Sequence, residues 1–174
     1  GDSANPAWMT GYRKNRKINV SLDTLQGAEG TKHSLKMTFD FSTKMGDVIF
    51  ATMENRKKRD LSLFSGIEFF IKADQSLTGA FNMWTSMPDD PNRIDSWTSR
   101  FDISTDWKRI RIPLDSLTIG RRWIKQGAAQ AGAKPGDQIL RLERVEAIRI
   151  GVDSEFNPPV AGNVWLDKIR FYTD

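Results

Sequence analysis

The side chains that could do chemistry in this chain are of the binding kind. Phe70, Asn82, Trp84, Arg100, Arg149, Asp153 and Trp165 each sit in an alternating run, on the parity that faces away from a core. Flat aromatic faces stack on the C–H surface of a ring, and Trp84 and Trp165 are the best platforms for this. Arg100, Arg149 and Asp153 supply planar, forked hydrogen bonds, and Asn82 adds an amide that donates and accepts. Such a set holds a ligand without transforming it. Trp97 and Trp107 read as core residues instead. The competing reading for the whole set is a merely wet outer face whose Trp residues are covered by a loop.

Catalytic chemistry has little to work with. His33 is the only histidine and there is no cysteine, so a thiol nucleophile, a disulfide and a thiolate metal site are excluded. Any His-based triad must use His33, in the surface stretch Thr31-Lys32-His33-Ser34. Asp89 and Asp90 are adjacent in a loop and do not define a glycosidase pair. No Gly-rich phosphate loop is present.

The elements that must position these residues are strands. Leu35, Met37, Phe39 and Phe41 alternate with Lys36, Thr38 and Asp40, which predicts a half-buried strand over 35–41. In 107–114, Ile110, Ile112 and Leu114 oppose Arg109 and Arg111, and Pro113 marks the end of the run; this stretch reads as an interior strand. Further strands are predicted over 18–22, 47–53, 67–71, 80–85, 97–103, 145–153 and 164–172. The last needs a bulge near Asp167 and Lys168 to keep Ile169 and Phe171 inward. Residues 126–133 are Ala- and Gly-rich and read as one or two helical turns. The basic cluster Arg56-Lys57-Lys58-Arg59 reads as a solvated loop. Arg121-Arg122-Trp123 reads as a Trp tucked under a loop, with contact to an acidic glycan or nucleic acid as the other possibility. Strands about every ten residues, with polar turns and little helix, argue for an all-β, two-sheet antiparallel jelly-roll sandwich. Residues 1–174 are expected to form one domain, with the polar segment 1–17 pinned to it by Trp8 and Tyr12.

The bulk numbers agree. The 174 residues carry 26 Lys and Arg against 22 Asp and Glu, a net charge of +4 that suits an anionic partner without requiring one. No run of about 18 apolar residues occurs, and nothing reads as a signal peptide.

Three motifs, in order, resemble a known group. Leu61-Ser62-x-Phe64-x-Gly66-Ile67-x-Phe69-x-Ile71-Lys72, Trp107-x-x-Ile110-x-Ile112-Pro113-Leu114 and Gly162-Asn163-Val164-x-Leu166-Asp167-Lys168-Ile169-x-Phe171-Tyr172 resemble strands of the galactose-binding-like β-sandwich superfamily. The nearest branches are the family 11 type carbohydrate-binding modules and the complex I intermediate-associated protein 30 domain. The resemblance implies a jelly roll that holds a poly- or oligosaccharide on one sheet face or at its loops, often with a structural Ca²⁺. It implies Asp167 as a metal ligand, although Lys168 stands where the group often has a second Asp. The expectation is therefore a non-catalytic carbohydrate-binding domain of an exported polysaccharide-processing protein, extracellular or periplasmic, with no nucleic-acid partner. A protein-interaction or assembly domain and a jelly-roll hydrolase or lyase are the alternatives. The oligomeric state is not readable.

Overall fold

The computed structural model describes residues 8–11, 18–42, 50–120 and 133–173. Alternating runs become strands: β1 (Trp8–Gly11), β2 (Asn19–Asp23), β3 (Ser34–Asp40), β4 (Phe50–Asn55), β5 (Gly66–Ala73) and β6 (Leu77–Ser86). The second half holds β7 (Arg93–Ile103), β8 (Lys108–Pro113), β9 (Thr118–Ile119), β10 (Lys134–Pro135), β11 (Val145–Asp153) and β12 (Ala161–Tyr172). Two sheets result. The larger runs β1-β4-β11-β6-β7-β10, with β9 also on β7; the smaller runs β2-β3-β12-β5-β8. Pairing is antiparallel except for the two-residue contact of β10 with β7. The predicted two-sheet sandwich is the observed fold.

The inward parity of each strand fills the space between the sheets. Met37, Phe39, Ile67, Phe69, Ile71, Val164 and Leu166 come from the small sheet, and Met53, Phe81, Met83, Ile148, Ile150 and Val152 from the large one. Phe69 and Phe101 meet edge to face at 5.4 Å. Burying each large side chain contributes roughly 1.5–3 kcal/mol. Trp97 is in this core, its indole N–H donating to Thr85 Oγ1 at 2.9 Å.

Two expectations change. The 107–114 stretch was expected inside its sheet, but β8 is an edge strand paired with β5 alone. Pro113, which cannot donate to a ladder, is tolerated there for that reason. Trp107 is half-buried and lies under Lys72 Nζ at 5.5 Å, on the outer surface. Its odd number gives it the parity of Arg109 and Arg111, so it leaves the core with them.

The bulge in β12 is where the sequence required it. The register against β5 shifts between Asp167 and Arg170, and Lys168 takes φ +49°. Residues 126–132, the Arg121-Arg122-Trp123 cluster and Tyr12 lie outside the described residues, while Trp8 belongs to β1, alongside β4. In the 56–59 cluster Arg56, Lys57 and Lys58 are exposed, as a solvated loop requires, and Arg59 is half-buried. Lys58 pairs with Glu146 at 3.1 Å, and half-buried Arg59 donates to Asn55 Oδ1 at 2.6 Å.

Candidate functional site

The outer face of the large sheet gathers five of the seven predicted binding residues. Strand register sets them in rows. Glu54, Arg149, Asn82 and Thr98 stand side by side across β4, β11, β6 and β7. Ala147, Trp84 and Ser96 form the row on one side of them. Thr52, Gly151, Ala80 and Arg100 form the row on the other. Gly151 and Ala80 add almost nothing above the backbone next to Arg149 and Arg100, and the row from Thr52 to Ala80 is buried, Thr52 keeping 3% and Ala80 6% exposure. At Gly151 even a β-carbon would collide with the Ala51 carbonyl, which keeps that position at backbone level.

Trp84 and Arg149 act as one unit. The Arg149 guanidinium lies over the Trp84 ring, 3.7 Å from its centroid. Arg149 Nε is 2.8 Å from Glu54 Oε2, and Arg56 pairs with the other oxygen of Glu54. Glu54 is 1% exposed, whereas the Arg149 side chain keeps 23%. Burial pulls the Arg149 guanidinium below its ordinary value, and Glu54 opposes that shift. A stacked guanidinium on an indole presents a flat cationic surface rather than a bare aromatic one.

Asp153 stands on the same face but works on the backbone. It is buried, and its Oδ1 accepts from Glu155 N and Phe156 N at 2.9 and 3.2 Å. Burial pushes its carboxyl up, while the two N–H bonds pull the other way. Asn157 completes the turn by donating to Asp153 O and Thr78 O. The product of this turn is Phe156, 36% exposed, with the Arg100 guanidinium 3.3 Å from its ring centroid. The face thus has two cation–aromatic stacks, Trp84 with Arg149 and Phe156 with Arg100, on either side of the Gly151–Ala80 pair.

The remaining predicted residues are elsewhere. Trp165 and Phe70 lie on the outer face of the small sheet, so they share no site with Trp84. Trp165 is 7% exposed; its indole N–H donates to Asp23 Oδ2 at 2.8 Å, and Lys36 and Lys72 cover its ring at 5.2 and 5.0 Å. Asp167 Oδ2 accepts from Ala28 N at 2.8 Å and from Thr31 Oγ1 at 2.5 Å, and Oδ1 accepts from Lys168 N at 2.7 Å. These bonds pin the 24–33 loop to the β12 bulge. Among the described residues no three acidic, His or Cys side chains converge to hold a metal. The Asp167 carboxylate, expected as a metal ligand, is engaged on both oxygens by N–H and O–H donors. His33 is exposed ahead of β3.

Phe156, Glu54 and Thr98 were missed by sequence reasoning. For Phe156 a signal existed: Asp153 followed two and three residues later by acceptable turn positions, then Asn157-Pro158-Pro159, marks a tight turn that displays its aromatic. Glu54 opens the charged stretch 54–60 and gave no such mark.

Comparisons with known proteins bear on the fold. No family model matches the chain, and no curated protein matches it in sequence. Solved structures do match. The family 11 carbohydrate-binding module of a cellulosomal cellulase of Clostridium thermocellum superposes with a TM-score of 0.74 at 14% identity, over 98% of this chain and 90% of that one. The same organism's family 11 module in complex with a β-1,3-1,4-mixed-linked tetrasaccharide gives 0.71 at 14% identity, over 98% and 91%. A family 30 carbohydrate-binding module of another of its cellulosomal cellulases gives 0.64 at 15% identity, over 97% and 92%. The chain has the β-sandwich fold of these modules. No helix among the described residues is long and apolar enough to cross a membrane.

Proposed function

We propose that this β-sandwich is a non-catalytic carbohydrate-binding domain whose ligand lies across the outer face of the large sheet. The observation that carries the reading is the pair of cation–aromatic stacks, Trp84 with Arg149 and Phe156 with Arg100, flanking the Gly151–Ala80 pair. A saccharide chain is amphipathic: its ring faces are apolar and its edges carry paired hydroxyls. The stacks match the ring faces, and Asn82 and the two guanidinium groups match the hydroxyls. Arg149 already covers one side of Trp84, so the ligand meets guanidinium as well as indole. The fold supports the same reading, because one of the similar modules is described with a β-1,3-1,4-linked tetrasaccharide bound. The setting that follows is a domain of an extracellular or periplasmic polysaccharide-processing protein.

A saccharide site that newly desolvates few groups binds on the order of micromolar to millimolar, and that is the affinity expected here. The test is a titration with mixed-linked and β-1,4-linked gluco-oligosaccharides, followed by Trp fluorescence and calorimetry. Saturable binding that Trp84→Ala abolishes, with the melting temperature retained, supports the reading. Silence across a broad glycan panel would leave a polypeptide partner as the better account, and release of shortened glycans would mean an enzyme.

A further inference from the structure

We propose that the outer face of the small sheet carries a second, separate site, in which Arg109 and Arg170 around the buried Glu68 receive the carboxylate or sulfate ester of an acidic saccharide. The inference rests on the proposed function for the saccharide as carrier; the anion chemistry stands on the small sheet alone.

A cavity of about 400 Å³ opens here, between β5, the edge strand β8 and the β12 bulge. Its floor is Glu68, whose side chain is only 4% exposed. Strand register places Arg111 and Arg170 on either side of Glu68. Arg109 Nη2 sits 2.6 Å from Glu68 Oε2, Arg111 Nε sits 3.6 Å from the same oxygen, and Arg170 Nε pairs with Oε1. Three guanidinium groups therefore face one carboxylate, and the cluster keeps a surplus of positive charge. One fork-shaped Arg would satisfy a carboxylate. The surplus points to a further anion.

The donors are aimed and accessible. Arg109 and Arg170 side chains are 51% and 68% exposed, while each is held at one nitrogen by Glu68. Arg111 is set aside, stacked on Tyr172 at 3.9 Å. The bulge is what brings Arg170 to this face: with Lys168 at φ +49°, the strand gains the offset that puts Arg170 opposite Glu68. Lys168 pairs with Glu29 at 2.8 Å on the rim, so these two charges cancel.

The cavity is also shaped for more than a bare ion. Phe70 lines it beside the arginines, which gives a ring an apolar wall. Its volume lies within the ~300–1,000 Å³ range of small-molecule sites, well above what a lone oxyanion fills. An anionic group on an apolar-faced ring satisfies both the charge and the wall.

The experiment titrates the 174-residue chain with oligogalacturonate, a sulfated galactan oligosaccharide, sodium sulfate, a single-stranded oligonucleotide and the neutral mixed-linked tetrasaccharide. Expected is binding of at least one acidic oligosaccharide, weakened by added salt. Arg170→Gln and Arg109→Gln should each weaken it by about tenfold, the value of a lost charge-assisted hydrogen bond. Arg170→Lys, which keeps the charge and loses the fork, should fall between. Trp84→Ala should leave it unchanged, so loss of neutral-glycan binding on the large sheet and loss of this site are read separately. Whichever of uronate or sulfate ester binds identifies the group. Acidic glycans that bind no better than neutral ones, acidic-glycan binding indifferent to both arginine variants in chains that melt normally, or sodium sulfate or the oligonucleotide competing as strongly as the glycans would overturn the proposal.

Discussion

The two outer faces of the sandwich are built from the same parts and put them to opposite use. Each centres on a buried carboxylate surrounded by arginines, Glu54 on the large sheet and Glu68 on the small one. On the large sheet the guanidinium of Arg149 lies down on Trp84 and is largely withdrawn from water. On the small sheet Arg109 and Arg170 stand up from Glu68 and remain half-exposed or more. The aromatic partner makes the difference. Where Trp84 lies beside the arginine, the result is a flat platform suited to a neutral ring; where Arg109 and Arg170 reach past Phe70, the result is a cationic socket. Trp165, on the same face, is closed off by Lys36, Lys72 and Asp23.

The comparison can be broken from its centre outward. Phe69→Ala empties the space between the sheets and should cost about 3–5 kcal/mol, seen as a lower denaturant midpoint, with both faces failing together. Glu54→Gln strands the charge of Arg149. The loss should be about 2 kcal/mol, short of the ~3–5 kcal/mol for fully buried pairs because Arg149 keeps 23% exposure. Glu68→Gln should lose less than Glu54→Gln in the same assay, since its arginines return to water. Equal losses would mean the two faces are not as different as their exposures state.

Acidity sharpens the same contrast. The Arg109 hydrogen bond, with that of Arg170, holds the Glu68 carboxyl below its ordinary range against some desolvation; backbone and Trp165 hydrogen bonds do the same for Asp23. A lowered carboxyl contributes stability that is fully present above its unfolded value and is lost as pH falls through the folded one. Asp153, raised by burial, has the other sign: its ionisation disfavours the fold, and protonation relieves that as pH falls. The stability gap between the natural chain and Glu68→Gln should therefore shrink below about pH 4, as followed by denaturant midpoints. A constant gap down to pH 2 would remove the charge-assisted bonds from the account. The smallest effect belongs to Lys36→Met, which removes a half-exposed cation over Trp165 and should lower stability by about 0.5–1 kcal/mol in the same denaturant assay, without touching either ligand.

The sandwich was readable because a strand with one buried face writes its parity into the chain, as in 35–41 and 145–153. The bulge at Asp167 and Lys168 was readable from the break in that parity. The order of strands was not: nothing in the alternation of 107–114 distinguishes an edge from an interior strand, and only its position beyond β5 settles it. Parity also assigns a side chain to an outer face without saying which of two faces it is. Trp84, Asn82, Arg100 and Arg149 were grouped with Trp165 and Phe70 on that ground, though the sheets put them on opposite sides. Asp153 shows a further limit, since an outward carboxylate two residues before a turn bonds the turn's N–H groups before it bonds a ligand.

The central claim is that the large sheet's outer face holds the neutral saccharide. Backbone amide shift mapping during titration with the mixed-linked tetrasaccharide tests it most directly. The predicted result is perturbation concentrated at Asn82, Trp84, Thr98, Arg100, Arg149 and Phe156. Shifts gathered instead around Phe70, Trp107 and Trp165, or none at saturating sugar, would contradict it.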